Sequence, residues 1–180
     1  MVTLKNNTIM NPLISILILL LMSNCSKDKV VNDEELSIQR IPYLGTELRV
    51  NGYYYYEYDN MVSIYFLFRN GVFLLGGSFE KEMLNEREGR FMNGDYYSTI
   101  KDLKTVWGVF FISNKEILIE RWHPHNVKNK VYLHKGIILN DSTFNITSVY
   151  HQQENISNFS QTFLFKTFSP KPDSTNVYVK

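Results

Sequence analysis

The stretch "SIYFLFRNGVFLLGG", residues 63–77, decides the fold class of this chain. Asn70-Gly71 separates two apolar runs, and this dipeptide is the strongest short signal for a β-hairpin with a two-residue type I′ turn. Directly paired residues share one face of a sheet. The turn therefore predicts a wholly apolar core face made of Ile64, Phe66, Phe68, Phe73 and Leu75.

A second hairpin is predicted for "VWGVFFISNKEILIERW", residues 106–122, with its turn at Asn114-Lys115. The first of its faces would carry Phe110, Ile112, Ile117 and Ile119 and end in Arg121. The opposite face would carry Trp107, Val109, Phe111, Leu118, Glu120 and Trp122. Both faces are rich in apolar residues, so the pattern leaves open which of them looks inward.

A third hairpin is predicted between Val131 and Tyr150, around the turn-forming "LNDST". Its alternation gives a common face to five apolar residues, which we expect to be core: Leu133, Ile137, Leu139, Phe144 and Ile146. The other face would then carry His134, Gly136, Asn145 and Thr147.

Two further segments, "GYYYYEY" at 52–58 and "SQTFLFKTF" at 160–168, bring the number of predicted strands to eight. Only residues 79–104 lack the alternation of a strand, and they predict a short helical insert. Consecutive antiparallel strands without long crossovers are typical of an up-and-down barrel, in which closure removes exposed edges. We therefore predict an all-β, eight-stranded antiparallel barrel, with a two-sheet β-sandwich as the alternative.

The composition suits one globular domain that does not bind nucleic acid. The chain has 19 basic and 18 acidic residues, so it lacks the strongly basic character that nucleic-acid binding favours. Hydrophobic residues make up 44% of the chain and aromatic residues 14%, which is enough for a sizeable core and favours strands.

The N-terminus predicts export and a lipid anchor. Lys5 precedes the apolar run "LISILILLLM", residues 13–22, which is too short to span a bilayer and fits a signal peptide. The single cysteine, Cys25, follows this run directly. We predict a signal peptide over residues 1–24 and a lipidated Cys25 with a flexible tether over 25–45. The domain would occupy residues 46–180.

Several motifs together carry a family resemblance: "MSNC" at 22–25, "NGYYYYEY" at 51–58, "FRNGV" at 68–72, "WGVFFI" at 107–112, "ILNDSTFNIT" at 138–147 and "FSPKPDSTN" at 168–176. The first resembles the lipobox of bacterial lipoproteins, and the others in their order resemble bacterial lipoproteins with a lipocalin-like domain. The resemblance implies a lipocalin-like barrel in the cell envelope, held by a lipid at Cys25 and facing the periplasm or the surface of the outer membrane. Gly52-Tyr53-Tyr54 stands where lipocalins carry Gly-x-Trp. The resemblance supplies no ligand and no activity.

Residues with catalytic chemistry do not form a recognisable set. We find no G-x-S-x-G and no phosphate-binding glycine loop, so we expect no enzyme and no cofactor. His123 and His125 could share a strand face and hold zinc, but Pro124 lies between them at an expected strand end. We interpret them as loop histidines and predict no metal site.

Two functions compete at this level. In the first, the barrel holds a small apolar or amphipathic ligand, and the candidate contact residues are Tyr54, Tyr56, Trp107, Glu120 and Trp122. In the second, the barrel is filled and the same aromatic residues dock an envelope protein. A pocket of about 300 Å³ or more inside the barrel would favour the ligand.

Overall fold

The computed structural model describes residues 32–95 and 100–180. They form a closed barrel of eight strands, each antiparallel to its two neighbours. The strands are β1 (Gly52–Tyr58), β2 (Met61–Leu67), β3 (Val72–Glu80), β4 (Trp107–Ser113), β5 (Glu116–His125), β6 (Lys128–Asn140), β7 (Thr143–His151) and β8 (Glu154–Thr167). The predicted barrel is confirmed, and the sandwich alternative is excluded because β1 pairs with β8.

The helical insert is also confirmed, since a helix, α1 (Leu84–Asn93), lies between β3 and β4. It ends at Gly94, whose φ of 82° is the left-handed conformation common after a helix C-terminus. Single 3₁₀ turns at Lys81–Met83 and Lys104–Val106 flank it. Within the described ranges, no helix combines the length and hydropathy needed to cross a membrane.

The β4–β5 hairpin has its predicted register. Asn114 and Lys115 both have positive φ, as a type I′ turn requires, and Ile112 pairs with Ile117. The structure also resolves the orientation left open by the sequence. Phe110, Ile112, Ile117 and Ile119 point into the barrel, in the same cluster as Phe73 of β3 and Phe163 of β8.

The predicted register of the β2–β3 hairpin is wrong by one residue next to the turn, but beyond an irregularity between Ile64 and Tyr65 the expected pairing of Ile64 with Gly77 is observed. Leu67, rather than Phe68, pairs with Phe73, and the N–H of Phe68 donates to the carbonyl of Val72. The loop that this bond closes is Arg69, Asn70 and Gly71, and Gly71 has a φ of 82°. The N–H of Gly71 donates to the carbonyl of Phe68, which is the pattern of a turn closed by a glycine bulge. An Asn-Gly pair suits this loop as well as a type I′ turn, so the dipeptide alone does not fix the register.

This shift separates the residues that were expected to share a core face. Phe73 and Leu75 point into the barrel, while Ile64, Phe66 and Phe68 point outward. The outward residues are nevertheless buried, because α1 and the C-terminal tail cover them. Phe91 of α1, for example, packs edge-on against Phe66 with 5.1 Å between ring centroids. Both sides of the barrel wall therefore carry a hydrophobic core.

The predicted face of β6 is wrong for a similar reason. Ile138 pairs with Phe144 and Asn140 pairs with Thr143, so Leu139 is an extra residue that reverses the alternation. Ile137 and Leu139 are consequently exposed, while His134, Gly136 and Ile138 lie on the inward face with Phe144 and Ile146. A bulge of this kind has no strong sequence signal in "ILNDST".

The two ends of the barrel differ. At the closed end Tyr43 and Leu48 are buried among the inward residues, and the Tyr43 hydroxyl accepts the N–H of Leu48 at 2.7 Å. The open end carries the β1–β2, β5–β6 and β7–β8 turns together with the insert.

Residues 32–45, which we call the N-terminal strap, belong to the same compact unit as the barrel, a unit that starts at Asn32. The N–H of Glu34 donates to the carbonyl of Asn129, and the N–H of Tyr43 donates to that of Arg69. This part of the predicted flexible tether is thus ordered against the barrel wall, because polar groups of the strap find partners there. Cys25 and the signal peptide lie outside the described residues.

Candidate functional site

The open end of the barrel leads into a cavity of about 520 Å³. Its walls come from seven strands, and the residues that reach it include Tyr56, Tyr58, Tyr65, Leu75, Val149, Phe159 and Phe163. Tyr65 and Phe163 stack with centroids 4.4 Å apart, and Tyr56 stacks on Tyr58 at 5.5 Å nearer the entrance. Such walls offer flat apolar surface with polar hydroxyl edges, as small-molecule sites commonly do.

A guanidinium group lies in the wall of this cavity. Arg121 pairs with Gly108 on one side and Tyr132 on the other. Gly108 has no side chain, and a Cβ there would lie 2.7 Å from the Cβ of Arg121. The Arg121 side chain therefore has room on the inward face.

The hydrogen bonds of Arg121 are incomplete. One terminal nitrogen donates to the carbonyl of Thr105 at 3.3 Å, a long contact. The Nε atom is buried and has no hydrogen-bond partner among the described residues. Burial lowers the pKa of Arg121, but a guanidinium keeps its proton in proteins. Of the described residues that line the cavity, none is Asp or Glu.

Two histidines stand beside this cation. The Nε2 atoms of His123 and His134 are 3.3 Å apart, and their rings stack with an interplanar angle of 16°. Burial, and then the charge of Arg121, lowers the pKa of His123 to about 3. The same two causes, with His123 as a third, hold the pKa of His134 well below its usual range. Both imidazoles are therefore neutral near pH 7, and one donates a hydrogen bond to the other.

The predicted contact residues are divided by the barrel wall. Tyr56 lines the cavity. Tyr54 is also inward but lies at the closed end, where its hydroxyl donates to the carbonyls of Arg49 and Asp141. Trp107, Glu120 and Trp122 lie on the outward face of their hairpin. The structure thus brings Tyr54 and Tyr56 to the interior and keeps the other three out of it.

Glu120 is held by the N-terminal strap. One of its oxygens accepts the hydroxyl of Ser37 and the other accepts the N–H groups of Ser37 and Ile38, all at 2.7 Å. The residue is only 3% exposed. A separate cavity of about 410 Å³ lies beside it, outside the barrel, between the strap and β5–β7.

The two indoles are buried on the same outer face. The Trp107 N–H donates to the carbonyl of Lys101 at 2.8 Å, and the Trp122 N–H donates to that of Glu34 at 2.6 Å. Lys104 lies over the Trp122 ring at 4.6 Å. Because strap and insert cover them, neither indole offers a free surface to a partner.

Acidic residues at the start of the strap fix it near the open end. Asp33 accepts the backbone and side-chain N–H groups of Asn129 and pairs with Lys104, and these contacts lower its pKa to about 2. Burial alone would raise the pKa of Glu34, but the N–H of Val131 and contact with His151 lower it. The strap therefore begins beside the β5–β6 and β7–β8 turns.

The sequence did not single out Arg121, His134 and Tyr65 as site residues. The sequence did contain a signal for Arg121, because this residue ends an otherwise apolar strand face. A charged side chain on such a face suggests a functional role if the face points into the barrel. His134 was assigned to the outward face because the bulge at Leu139 was not foreseen. The histidines predicted to lie in a loop are in β5, and the side chain of His123 reaches the cavity.

Across residues 32–95 and 100–180, no cluster of three or more His, Cys, Asp or Glu side chains is arranged to hold a metal ion. Comparison with models of known protein families, with curated proteins and with solved structures finds no match. The function must therefore be argued from the geometry of the cavity.

Proposed function

We propose that this protein is a lipid-anchored envelope protein whose barrel binds a small apolar or amphipathic ligand. The observation that carries the proposal is the cavity of about 520 Å³ at the open end. Its volume lies in the range of about 300–1,000 Å³ typical of small-molecule sites, and its walls are mainly aromatic and aliphatic. The protein is a binding module in this proposal, not an enzyme.

The competing function, a filled barrel that docks an envelope protein, has less support. Its premise was a solid interior with the indoles of Trp107 and Trp122 displayed outside. The interior holds a cavity, and both indoles are buried under other segments of the chain. No specific contact surface on the described residues favours this second function.

The anchor part of the proposal rests on Cys25 behind its apolar run. Seven residue steps separate Cys25 from Asn32, and an extended chain spans at most about 3.6 Å per residue, or roughly 25 Å. The strap begins beside the turns of the open end. A lipid on Cys25 would thus keep the entrance of the cavity close to the membrane, in the outer membrane of a bacterial envelope, where amphiphiles are abundant.

The anchor is tested by Cys25→Ser. We expect this variant to lose incorporation of labelled palmitate and to leave the membrane fraction, whereas Ser26→Ala, one residue further on, keeps both. Equal membrane retention of Cys25→Ser and the parent would refute lipid anchoring.

The binding function is tested with a neutral fluorescent probe, N-phenyl-1-naphthylamine, added to the Cys25→Ser chain. We expect saturable binding that Val149→Trp weakens, because Val149 lines the cavity. The control is Asn145→Trp on the same strand, which pairs with the exposed Ile137 and points outward. A probe that binds all three chains equally, or none of them, would contradict a ligand site inside the barrel.

A further inference from the structure

The charge of Arg121 lacks a counterion in the described part of the protein. A buried charged donor without a hydrogen-bond partner is costly, and proteins rarely retain one without a functional reason. The adjacent acid, Glu120, cannot supply the missing partner because it points outward and accepts three hydrogen bonds from the strap. The cavity itself presents no carboxylate.

The groups around the guanidinium are suited to a negatively charged ligand. His123 and His134 are neutral, so they do not repel a cation beneath them and do not compete for an anion. One imidazole spends its single N–H on the bond between the two rings, and the ring that accepts this bond keeps an Nδ1–H that can donate to a ligand oxygen. Tyr65 packs on the same side, close enough that its hydroxyl interacts electrostatically with Arg121.

We infer that Arg121 is an anion-binding residue and that the ligand is an amphiphile with a single negatively charged group, such as a carboxylate, and an apolar tail. The anionic group would reach the terminal nitrogens of Arg121, which lines the cavity, with a histidine N–H beside it. The planar guanidinium matches a carboxylate in a two-point contact. This inference rests on the proposed binding function and specifies its ligand.

The walls of the cavity agree with this orientation of the ligand. Besides Arg121 they present Phe159, Val149 and the stacked pair Tyr56 and Tyr58, which can cover an apolar tail. Ile156, also in the lining, is 50% exposed and lies near the rim. The polar group is thus expected to enter first and the tail to fill the space behind it.

The experiment uses three probes with the same ten-carbon tail: decanoate, decanol and decylamine. Each is titrated against N-phenyl-1-naphthylamine bound to the Cys25→Ser chain. We expect decanoate to compete at least about tenfold better than decanol, and decylamine to be the weakest. In Arg121→Gln, decanoate should lose about 10- to 100-fold in affinity, the range of one charge-assisted hydrogen bond, while decanol changes little.

Two further variants serve as controls for the charge and for the position of the substituted arginine. Arg121→Lys keeps the charge but not the two-point geometry and should lie between the parent and Arg121→Gln. Arg49→Gln removes an exposed arginine at the closed end and should leave all three affinities unchanged. If Arg121→Gln does not fold, the order of the three probes on the parent still decides the question.

The results distinguish this inference from the function on which it rests. Binding of the neutral probe with equal competition by the three amphiphiles would overturn the anionic ligand and leave the cavity function standing. Unchanged decanoate affinity in a folded Arg121→Gln would have the same meaning. Failure of the neutral probe to bind the parent would overturn both.

Discussion

Glu120 and Arg121 are neighbours in β5 and point to opposite sides of the barrel wall. Glu120 lies outside and accepts three hydrogen bonds from Ser37 and Ile38. Arg121 lies inside with an unpaired Nε. Side chains alternate along a strand. A shift of β5 by one residue would therefore exchange the two side chains and put the carboxylate, instead of the guanidinium, inside the barrel. The acid holds the strap and the base faces the cavity.

Removing the acid should release the strap. Glu120→Ala leaves two backbone N–H groups and one hydroxyl without their acceptor, so we expect the free energy of unfolding to fall by about 3 kcal/mol. Ser37→Ala removes only one of the three hydrogen bonds and should cost about 1 kcal/mol. Urea unfolding measures both variants. Equal stability of Glu120→Ala and the parent would mean that the strap is not held by this carboxylate.

Removing the base should have the opposite effect on the ligand-free protein. Arg121→Met replaces a half-buried, incompletely paired charge by an apolar side chain of similar length, which removes the cost of taking that charge out of water. We expect a higher melting temperature for Arg121→Met without ligand. A clear loss of stability instead would assign Arg121 a structural role, through its contact with the Thr105 carbonyl.

The histidines should make stability depend on pH. Their pKa values are lowered in the folded protein, to about 3 for His123, from about 6.5 when unfolded. Below pH 6.5 the unfolded chain therefore binds more protons, and stability is lost as the pH falls. Each neutral histidine contributes a slope of up to about 1.4 kcal/mol per pH unit.

The groups that face this pair are Arg121 on the same strand, Tyr132 on β6 and Tyr65 on β2. Arg121 keeps its charge over this range, and burial raises the pKa of Tyr65, so neither of these two groups changes charge between pH 6 and 5. His123→Gln should thus remove up to about 1.4 kcal/mol of the stability lost over that interval, measured by urea unfolding at both values. Parallel pH dependences of variant and parent would show that His123 is protonated as easily in the folded protein as in the unfolded chain.

Two glycines with the same φ of 82° offer a matched comparison. A Cβ at Gly71 would lie 2.2 Å from the carbonyl oxygen of Ile41 in the strap, whereas one at Gly94 meets nothing within 4 Å. Gly94→Ala should cost about 1 kcal/mol for the left-handed conformation alone. Gly71→Ala should cost at least about 2 kcal/mol more, because the strap must move. If thermal unfolding showed the same loss of stability for Gly71→Ala and Gly94→Ala, the strap would have to move away from residue 71 at no cost in free energy.

Hairpin prediction succeeded where the turn left no alternative. Asn114-Lys115 connects two apolar runs of matched length, and the type I′ turn gave the observed register. Asn70-Gly71 is compatible with two loop lengths, and the structure uses the longer one, so the pairings next to the turn moved by one residue. In β6 the extra residue Leu139 reversed the inward face. The number of strands was nevertheless predicted correctly, because it depends on the spacing of the turns and not on the register.

The candidate site was less predictable than the fold. The face of β4–β5 that carries Glu120 looked suitable for a pocket because two tryptophans flank the acid, but that face is covered by a strap some 80 residues earlier in the chain. Residues 32–45 are polar and resemble a tether. These residues are ordered because they form hydrogen bonds with buried groups such as Glu120 and the Trp122 N–H. Contacts between residues so far apart in the chain leave no local pattern in the sequence.

The most direct test of the central claim is a crystal structure of the Cys25→Ser chain grown with decanoate. We predict electron density inside the barrel, with the carboxylate within about 3 Å of the Arg121 guanidinium and the tail running past Phe159 toward Tyr58. An empty barrel with decanoate bound elsewhere, for instance between the strap and β5–β7, would contradict the account.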